Sequence, residues 1–271
     1  MLIDELNSAR LAKPFEVLGL QPNPNGNGFV LRAWLPGAKS CRALTLRGKE
    51  EICVLNVINP DGLFEKVMED VKAPFHYVFE VVYNDSKIEI VDPYQFRDEA
   101  FYGLNTMYES PENIYKTLGA QLIELEVDGV KVKGTKFAVY APSATSVAVI
   151  GDFNFWDGRR HPMARSLLGH WGLFVPDLGQ RYKFEIKDNN GNRLPHKADP
   201  VGFYHEQYPS FASIISDQTT YEWHDQEWQK AQQCDKLSRP MSIYEVHLAS
   251  WKRKADGSSL NYRELAKELV D

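Results

Sequence analysis

Apolar and polar residues alternate with a period of two in short runs through most of this chain. Tyr182, Phe184 and Ile186 alternate with Lys183 and Glu185, and Val30, Ala33 and Leu35 flank polar or aromatic neighbours. This is the pattern of half-buried strands. Turn dipeptides separate the runs at Asn25-Gly26, Asn27-Gly28, Asp61-Gly62, Asp128-Gly129 and Asn190-Gly191. Prolines 36, 60, 74, 142 and 176 fall at run ends, where a missing N–H harms a ladder least. Short strands with regular turns predict β-sandwiches, each built from about 100 residues. Helical patterning is confined to Asp4–Leu11, to a stretch around Gln226–Gln233 and to the last residues. There Ser258 or Ser259 is the expected N-cap, and Leu265 and Leu269 form an apolar stripe. No C-cap signal follows that stripe, which predicts an element that continues past Asp271.

The strand pattern occurs twice. Phe15-Glu16-Val17-Leu18-Gly19 corresponds to Tyr115-Lys116-Thr117-Leu118-Gly119, and the run Gly28–Ala38 to Gly134–Ala144. The aromatic strand Phe75–Val81 corresponds to Gln180–Ile186, and each copy closes on Asp-Pro, at Asp92-Pro93 and Asp199-Pro200. The same order at similar spacing predicts two copies of one module. The expected division is 1–112, 113–225 and a remainder, 226–271.

Composition narrows the function. A hydrophobic fraction of 43% with 12% aromatics supplies packed cores, which excludes a disordered chain. A net charge of −6 argues against nucleic acid as a partner, and no apolar run is long enough for a membrane span. The start of the chain, with Asp4 and Glu5 directly after Met1-Leu2-Ile3, does not read as a signal peptide. Cys41, Cys53 and Cys234 show no metal or redox spacing and predict reduced thiols in a cytoplasmic protein. The scattered histidines form no ligand pair, and no Gly-rich phosphate loop is present, so neither metal nor cofactor is expected. Asp188-Asn189-Asn190-Gly191-Asn192 has some character of a calcium loop but lacks the closing glutamate; a hairpin explains it better.

The richest stretch is Gly151-Asp152-Phe153-Asn154-Phe155-Trp156-Asp157-Gly158-Arg159-Arg160-His161-Pro162-Met163. Sugars present C–H faces rimmed by hydroxyls, so a site for them needs a flat aromatic face beside hydrogen-bonding groups. Trp156 is the candidate face and Lys183 the candidate donor. The residues alone also fit a plain core, with Phe153, Phe155 and Trp156 as packing aromatics and Asn154 and Asp157 as turn formers.

That motif, with Tyr182-Lys183-Phe184-Glu185-Ile186 and Asp199-Pro200, resembles the glucan-binding module called carbohydrate-binding module family 48. Met241-Ser242-Ile243-Tyr244-Glu245-Val246-His247-Leu248-Ala249-Ser250-Trp251 resembles the first strand of a glycoside hydrolase family 13 barrel. Together they make the chain similar to the N-terminal part of bacterial glucan branching enzymes, its first module being similar to their extra N-terminal domain. The resemblance implies a mostly β fold: two tandem immunoglobulin-like β-sandwiches, then the first strand (Ile243–Leu248) and helix of a truncated (β/α)8 barrel. It implies α-glucan (glycogen or amylose-like chains) as ligand at Trp156 and Lys183, the rest of the barrel as partner, and a part in glycogen biosynthesis. In related glucan-binding modules a second stacking tryptophan is expected near 188–194, where this chain has Arg193 and Leu194. The family's catalytic carboxylates sit on later barrel strands, so no catalytic residue is named and the chain alone is expected to be inactive. Glu245 and His247 belong to the first strand and carry no such role. Arg159 and Arg160 serve either sugar hydroxyls or docking onto the barrel, docking being favoured. A stand-alone glucan-binding or scaffold protein is the alternative, and a non-functional fragment a third reading.

Overall fold

The structure is a computed structural model that describes residues 2–84, 86–104, 110, 113–231, 240 and 242–270. Glu112, at the expected first boundary, lies outside the described residues, as do Gln232, Gln233, Cys234 and Met241. The chain forms two compact units, Met1–Gln218 and Thr219–Asp271.

The larger unit holds two sets of antiparallel strands. The first comprises β1 (Gly19–Pro22), β2 (Phe29–Trp34), β3 (Ser40–Leu44), β4 (Glu51–Asn59), β5 (Leu63–Met68), β6 (Val78–Val82) and β7 (Lys87–Val91), in the order β1-β2-β5-β4-β3-β6-β7. Strand β4 serves both halves, pairing with β3 up to Leu55 and with β5 from Asn56 onward. Leu31, Ala33 and Phe64 from one half share a core with Cys41, Ala43, Phe79 and Val81 from the other, so the halves face each other. Both Cys41 and Cys53 are free thiols, and burial pushes the Cys41 thiol far up.

The second set is a sandwich of two four-stranded sheets. One contains β8 (Gly119–Val127), β9 (Val130–Tyr140), β11 (Ala164–Arg165) and β12 (His170–Val175), ordered β11-β12-β9-β8. The other contains β10 (Ser146–Gly151), β13 (Arg181–Lys187), β14 (Tyr204–His205) and β15 (Ser213–Ile214), ordered β10-β13-β15-β14. The β8–β9 hairpin turns on Asp128 (φ 50°) and Gly129 (φ 72°), both left-handed as a type I′ turn requires. Inward residues Phe137, Val139, Val147, Val149, Trp171, Leu173, Tyr182 and Phe184 fill the core between the sheets.

The repeat read from the sequence has a structural counterpart. Tyr77 donates to Asp92 Oδ2 at 2.6 Å, and Tyr182 donates to Asp199 Oδ2 at 2.6 Å, both pairs buried. In each copy the other carboxylate oxygen accepts a backbone N–H two residues on, from Tyr94 (3.1 Å) and from Val201 (2.8 Å). The Asp-Pro corner is thus pinned to the aromatic strand twice by the same device.

The two sets are not separate bodies. Leu6, Leu11, Phe15 and Leu18 from the start of the chain lie in the core of the second sandwich. The carbonyl of Ala9 accepts hydrogen bonds from Ser146 Oγ (3.1 Å) and from Lys187 Nζ (2.9 Å). Lys187 also pairs with Glu185, which the alternating pattern had placed toward solvent; both are buried. The leading segment covers that face of β13, and the charges survive burial because they pair.

The smaller unit differs from expectation in detail. Residues 242–247 form no strand, Leu248–Trp251 is a short helix, and Ile243 is 85% exposed. A strand needs a neighbour to satisfy its N–H and C=O groups, and none of the described residues supplies one. The final helix runs Tyr262–Val270. Its cap is Asn261, not Ser258 or Ser259: Asn261 Oδ1 accepts from the backbone of Arg263 and Glu264 at 3.0 Å. Glu264 returns the bond to the Asn261 N–H at 2.8 Å, a capping box. Ser258 is taken by Asp256 and Ser259 by the Ala249 carbonyl. Among the described residues, no helix is long and apolar enough to cross a membrane, and no cluster of His, Cys, Asp or Glu is arranged to hold a metal ion.

Candidate carbohydrate-binding site

Strand β10 ends at Gly151, and the chain turns sharply through Asp152–Asn154. Asn154 holds the turn closed: its Oδ1 accepts from Gly151 N, and its Nδ2 reaches both Val149 O and His161 Nδ1, each at 2.9 Å. Packed surroundings, with Arg160 next to the ring, press the His161 pKa down to about 3, so the imidazole is neutral and its Nδ1 accepts. Phe155 (φ 58°) and Trp156 (φ 60°) then both adopt left-handed backbone, which bulky residues seldom do. The turn thereby lifts two consecutive aromatics out of the core pattern.

Trp156 is fixed by its own loop and its neighbour strand. Its backbone N–H reaches Gly151 O (3.0 Å) and its indole N–H reaches Asp152 Oδ1 (3.2 Å). Asp152 in turn accepts two bonds from the Arg181 guanidinium, at 3.0 and 2.9 Å. Arg181 extends to Glu206 (3.2 Å), whose other oxygen accepts from Ala212 N (3.0 Å). Arg181 holds the Asp152 carboxyl below its usual range; for Glu206 the Ala212 N–H is the first cause and Arg181 a further one. One guanidinium therefore ties the Trp156 loop to the loop between β14 and β15.

That second loop carries Phe211, 55% exposed. Lys183, opposite Ile150 in the β10–β13 register, places Nζ 5.9 Å from the Trp156 ring centre and 3.3 Å from that of Phe211. The two residues expected from the sequence do meet, and a third aromatic completes the group. An ammonium beside two rings is favourable on its own. It also offers three donors between two apolar faces, which suits a ring with C–H faces and hydroxyl edges. Sequence reading missed Phe211 because β14 and β15 are two residues each, too short to show a period. The run Tyr208-Pro209-Ser210-Phe211 was the available signal.

The other candidates separate. The 188–194 hairpin carries no aromatic: Leu194 N bonds Ile186 O, and Arg193 lies 3.7 Å from Glu185. Asp188 accepts the N–H groups of Asn190 and Asn192, so its oxygens serve the hairpin. Arg159 forks onto Asp157. Arg160 does dock, but onto the first strand set: it donates to Tyr83 Oη (3.1 Å) and Pro36 O (2.9 Å). His247 is exposed and shares a hydrogen bond with Ser250.

Comparison with known proteins agrees along the chain. Residues 2–94 match the family described as alpha-1,4-glucan branching enzyme GlgB, N-terminal domain, and residues 117–202 match Carbohydrate-binding module 48 (Isoamylase N-terminal domain). Phe211 lies beyond the second match. A 1,4-alpha-glucan branching enzyme GlgB of Pseudoalteromonas atlantica is 45% identical over 98% of this chain and 37% of its own length. One from Vibrio cholerae is 43% identical over 98% of this chain and 36% of its own length. A pullulanase structure from Anoxybacillus sp. LM18-11 overlaps 69% of this chain and 25% of its own at 16% identity and TM-score 0.30, too loosely to bear on the fold. The chain spans little more than a third of the curated relatives it matches. With both family matches in order and 45% identity along nearly its whole length, the chain corresponds to the N-terminal region of the 1,4-alpha-glucan branching enzymes.

Proposed function

We propose that this chain is the glucan-holding front of a branching enzyme of glycogen biosynthesis, which cuts an α-1,4 bond and rejoins the freed segment through an α-1,6 bond. The observation that carries the reading is Lys183 set between Trp156 and Phe211 at the mouth of the second sandwich. An α-glucan lays the C–H face of a glucosyl ring on each aromatic, and Lys183 donates to hydroxyls between them. The functional division is 1–112, 113–225 and 226–271, the last being the leading part of the barrel that forms the rest of the enzyme. Transfer with retention needs a carboxylate nucleophile and a second carboxyl about 5–5.5 Å away, which the family supplies from later barrel strands; these 271 residues alone are inactive. The free Cys41 and Cys53 suit a reducing compartment, and we place the protein in the cytoplasm.

Affinity electrophoresis through amylose tests the site. Trp156→Ala and Phe211→Ala are each expected to weaken retardation about tenfold, the worth of one stacking face, and Lys183→Ala less. Unchanged retardation in both aromatic variants overturns the site. A lasting change in the iodine spectrum of amylose on incubation with the chain overturns the inactivity.

A further inference from the structure

The two rings beside Lys183 stand on different loops, one after β10 and one between β14 and β15. The second loop has little strand pairing to hold it. Strands β14 and β15 share two pairs, Tyr204 with Ile214 and His205 with Ser213. Strand β15 meets β13 in two more, Ile214 with Arg181 and Ser213 with Tyr182. Phe211 itself is more than half exposed, so core packing does not fix it either.

Arg181 is where these parts meet. Its guanidinium forks onto both oxygens of Asp152, and its remaining Nη1 crosses to Glu206 Oε1. Each carboxylate passes the restraint to one ring. Asp152 Oδ1 also accepts the Trp156 indole N–H, and Glu206 Oε2 accepts the N–H of Ala212, the residue after Phe211. A chain of contacts thus runs from the Trp156 indole through Asp152, Arg181 and Glu206 to the backbone beside Phe211. A planar guanidinium can hold two carboxylates at set angles, which a point-like ammonium cannot.

Folding gains little from this chain. Nearly half of the Arg181 side chain is in solvent, and exposed ion pairs add little to stability. Backbone donors close both loops without the guanidinium: Arg181 N–H reaches Asp152 Oδ2, and Glu206 N–H reaches Ala212 O. What the guanidinium adds is a fixed relation between the loops. A ligand lying across two loose faces must order both on binding, and that cost falls when they are set beforehand.

We propose that Arg181 is a positioning residue of the saccharide site, which touches no sugar but sets Trp156 and Phe211 relative to each other before the sugar arrives. This rests on the reading of Trp156, Lys183 and Phe211 as a glucan site. One consequence separates the clamp from ordinary packing. An α-glucan is uncharged, whereas an exposed ion pair weakens as salt screens it. Affinity for a neutral ligand therefore falls as ionic strength rises, and it does so through Arg181.

Calorimetric titration of the full chain with maltoheptaose, at low salt and at about 1 M NaCl, tests this. Arg181→Gln is expected to weaken binding about threefold to tenfold at low salt while leaving the urea midpoint nearly unchanged. The wild-type chain should lose a similar factor when salt is raised, and Arg181→Gln should lose little more. Arg181→Lys should recover part of the affinity, because an ammonium still reaches one carboxylate. In a Phe211→Ala background the Arg181→Gln loss should shrink, since one of the two faces it sets is gone. An undiminished loss there means direct contact with sugar and overturns the positioning role. Equal salt dependence in wild type and Arg181→Gln also overturns it. Unchanged affinity in Arg181→Gln, with Trp156→Ala and Phe211→Ala both weakened, refutes the clamp and leaves the site standing. No weakening in either aromatic variant refutes the site, and the clamp with it. If Arg181→Gln unfolds earlier in urea, Glu206→Gln decides, because it keeps an acceptor for the Ala212 N–H: lost affinity at an unchanged midpoint supports the clamp, and unchanged affinity refutes it.

Discussion

Replacing Tyr77 by Phe is expected to cost stability in a way that depends on pH. The Tyr77 hydroxyl donates to Asp92 Oδ2 at 2.6 Å, both groups being buried. Burial raises the Asp92 pKa from 3.8 to about 6, against the hydrogen bonds from Tyr77 and the Tyr94 N–H that lower it. A folded pKa above the unfolded one means that the carboxyl contributes most below 3.8 and loses that contribution as pH rises through about 6. Above that, the ionised form in the fold costs about 3 kcal/mol relative to the unfolded chain. The phenol is what makes this tolerable, since a hydrogen bond to a charged group is worth about 1.5–3 kcal/mol. Without it, ionised Asp92 keeps one donor and Oδ2 none, and its pKa climbs further. The expected loss for Tyr77→Phe is about 2 kcal/mol at pH 7.5 and about 1 kcal/mol at pH 5, where Asp92 is largely protonated. Urea unfolding at both pH values, followed by tyrosine and tryptophan fluorescence, measures it. A cost below about 0.5 kcal/mol at pH 7.5, or one equal at both, refutes the assignment of Asp92 as a buried carboxylate held by this phenol. Tyr182→Phe tests the repeat, because burial also raises the Asp199 pKa and the same sign of pH dependence follows.

Other expectations follow from single contacts. Arg160→Ala removes two hydrogen bonds between the strand sets and is expected to cost about 2 kcal/mol in urea unfolding, with no loss refuting its docking role. His161 stays neutral in the fold, with its pKa pressed to about 3, so its contribution is present above 6.5 and is lost as pH falls toward 3. Stability should drop by about 1–2 kcal/mol between pH 7 and 5 relative to His161→Gln, whose profile should be flatter; parallel profiles would sink this. Gly151→Ala places a Cβ 2.3 Å from the Arg181 carbonyl and 2.5 Å from the Phe153 ring. It should cost about 3 kcal/mol or more through overpacking and lower amylose retention with it; a thermal midpoint matching wild type would contradict the geometry.

How far the sequence could be read depended on the range of the interaction. The β class, the repeat and the Asp128-Gly129 turn rest on local patterns, and the structure displays them as the strand sets and the type I′ hairpin. Trp156 and Lys183 were legible because the aromatic loop and the period-2 strand are each local. Their meeting required only that β10 pair with β13. Phe211 was not legible, since its place depends on the Arg181–Glu206 bond across 25 residues. The packing of Leu6, Leu11 and Phe15 into the second sandwich was hidden for the same reason: an amphipathic segment shows that it has an apolar face, not which core receives it. Asn261 outcompeted the serines as cap because only it lies three residues before Glu264 and can close the box. Residues 242–247 had the apolar pattern of a strand, but pattern without a partner strand leaves the ladder unmade.

The anchoring of the Ala9 carbonyl sets a rule for how this protein can be taken apart. Lys187 and Ser146 both spend a buried donor on an oxygen that arrives from the far end of the sequence. The second sandwich cut out at residue 113 would keep its sheets but lose that acceptor, along with the apolar side chains of the leading segment. It would face water with a bare seam. The second sandwich is therefore no interchangeable cassette: it and the opening residues must be inherited, swapped or engineered together.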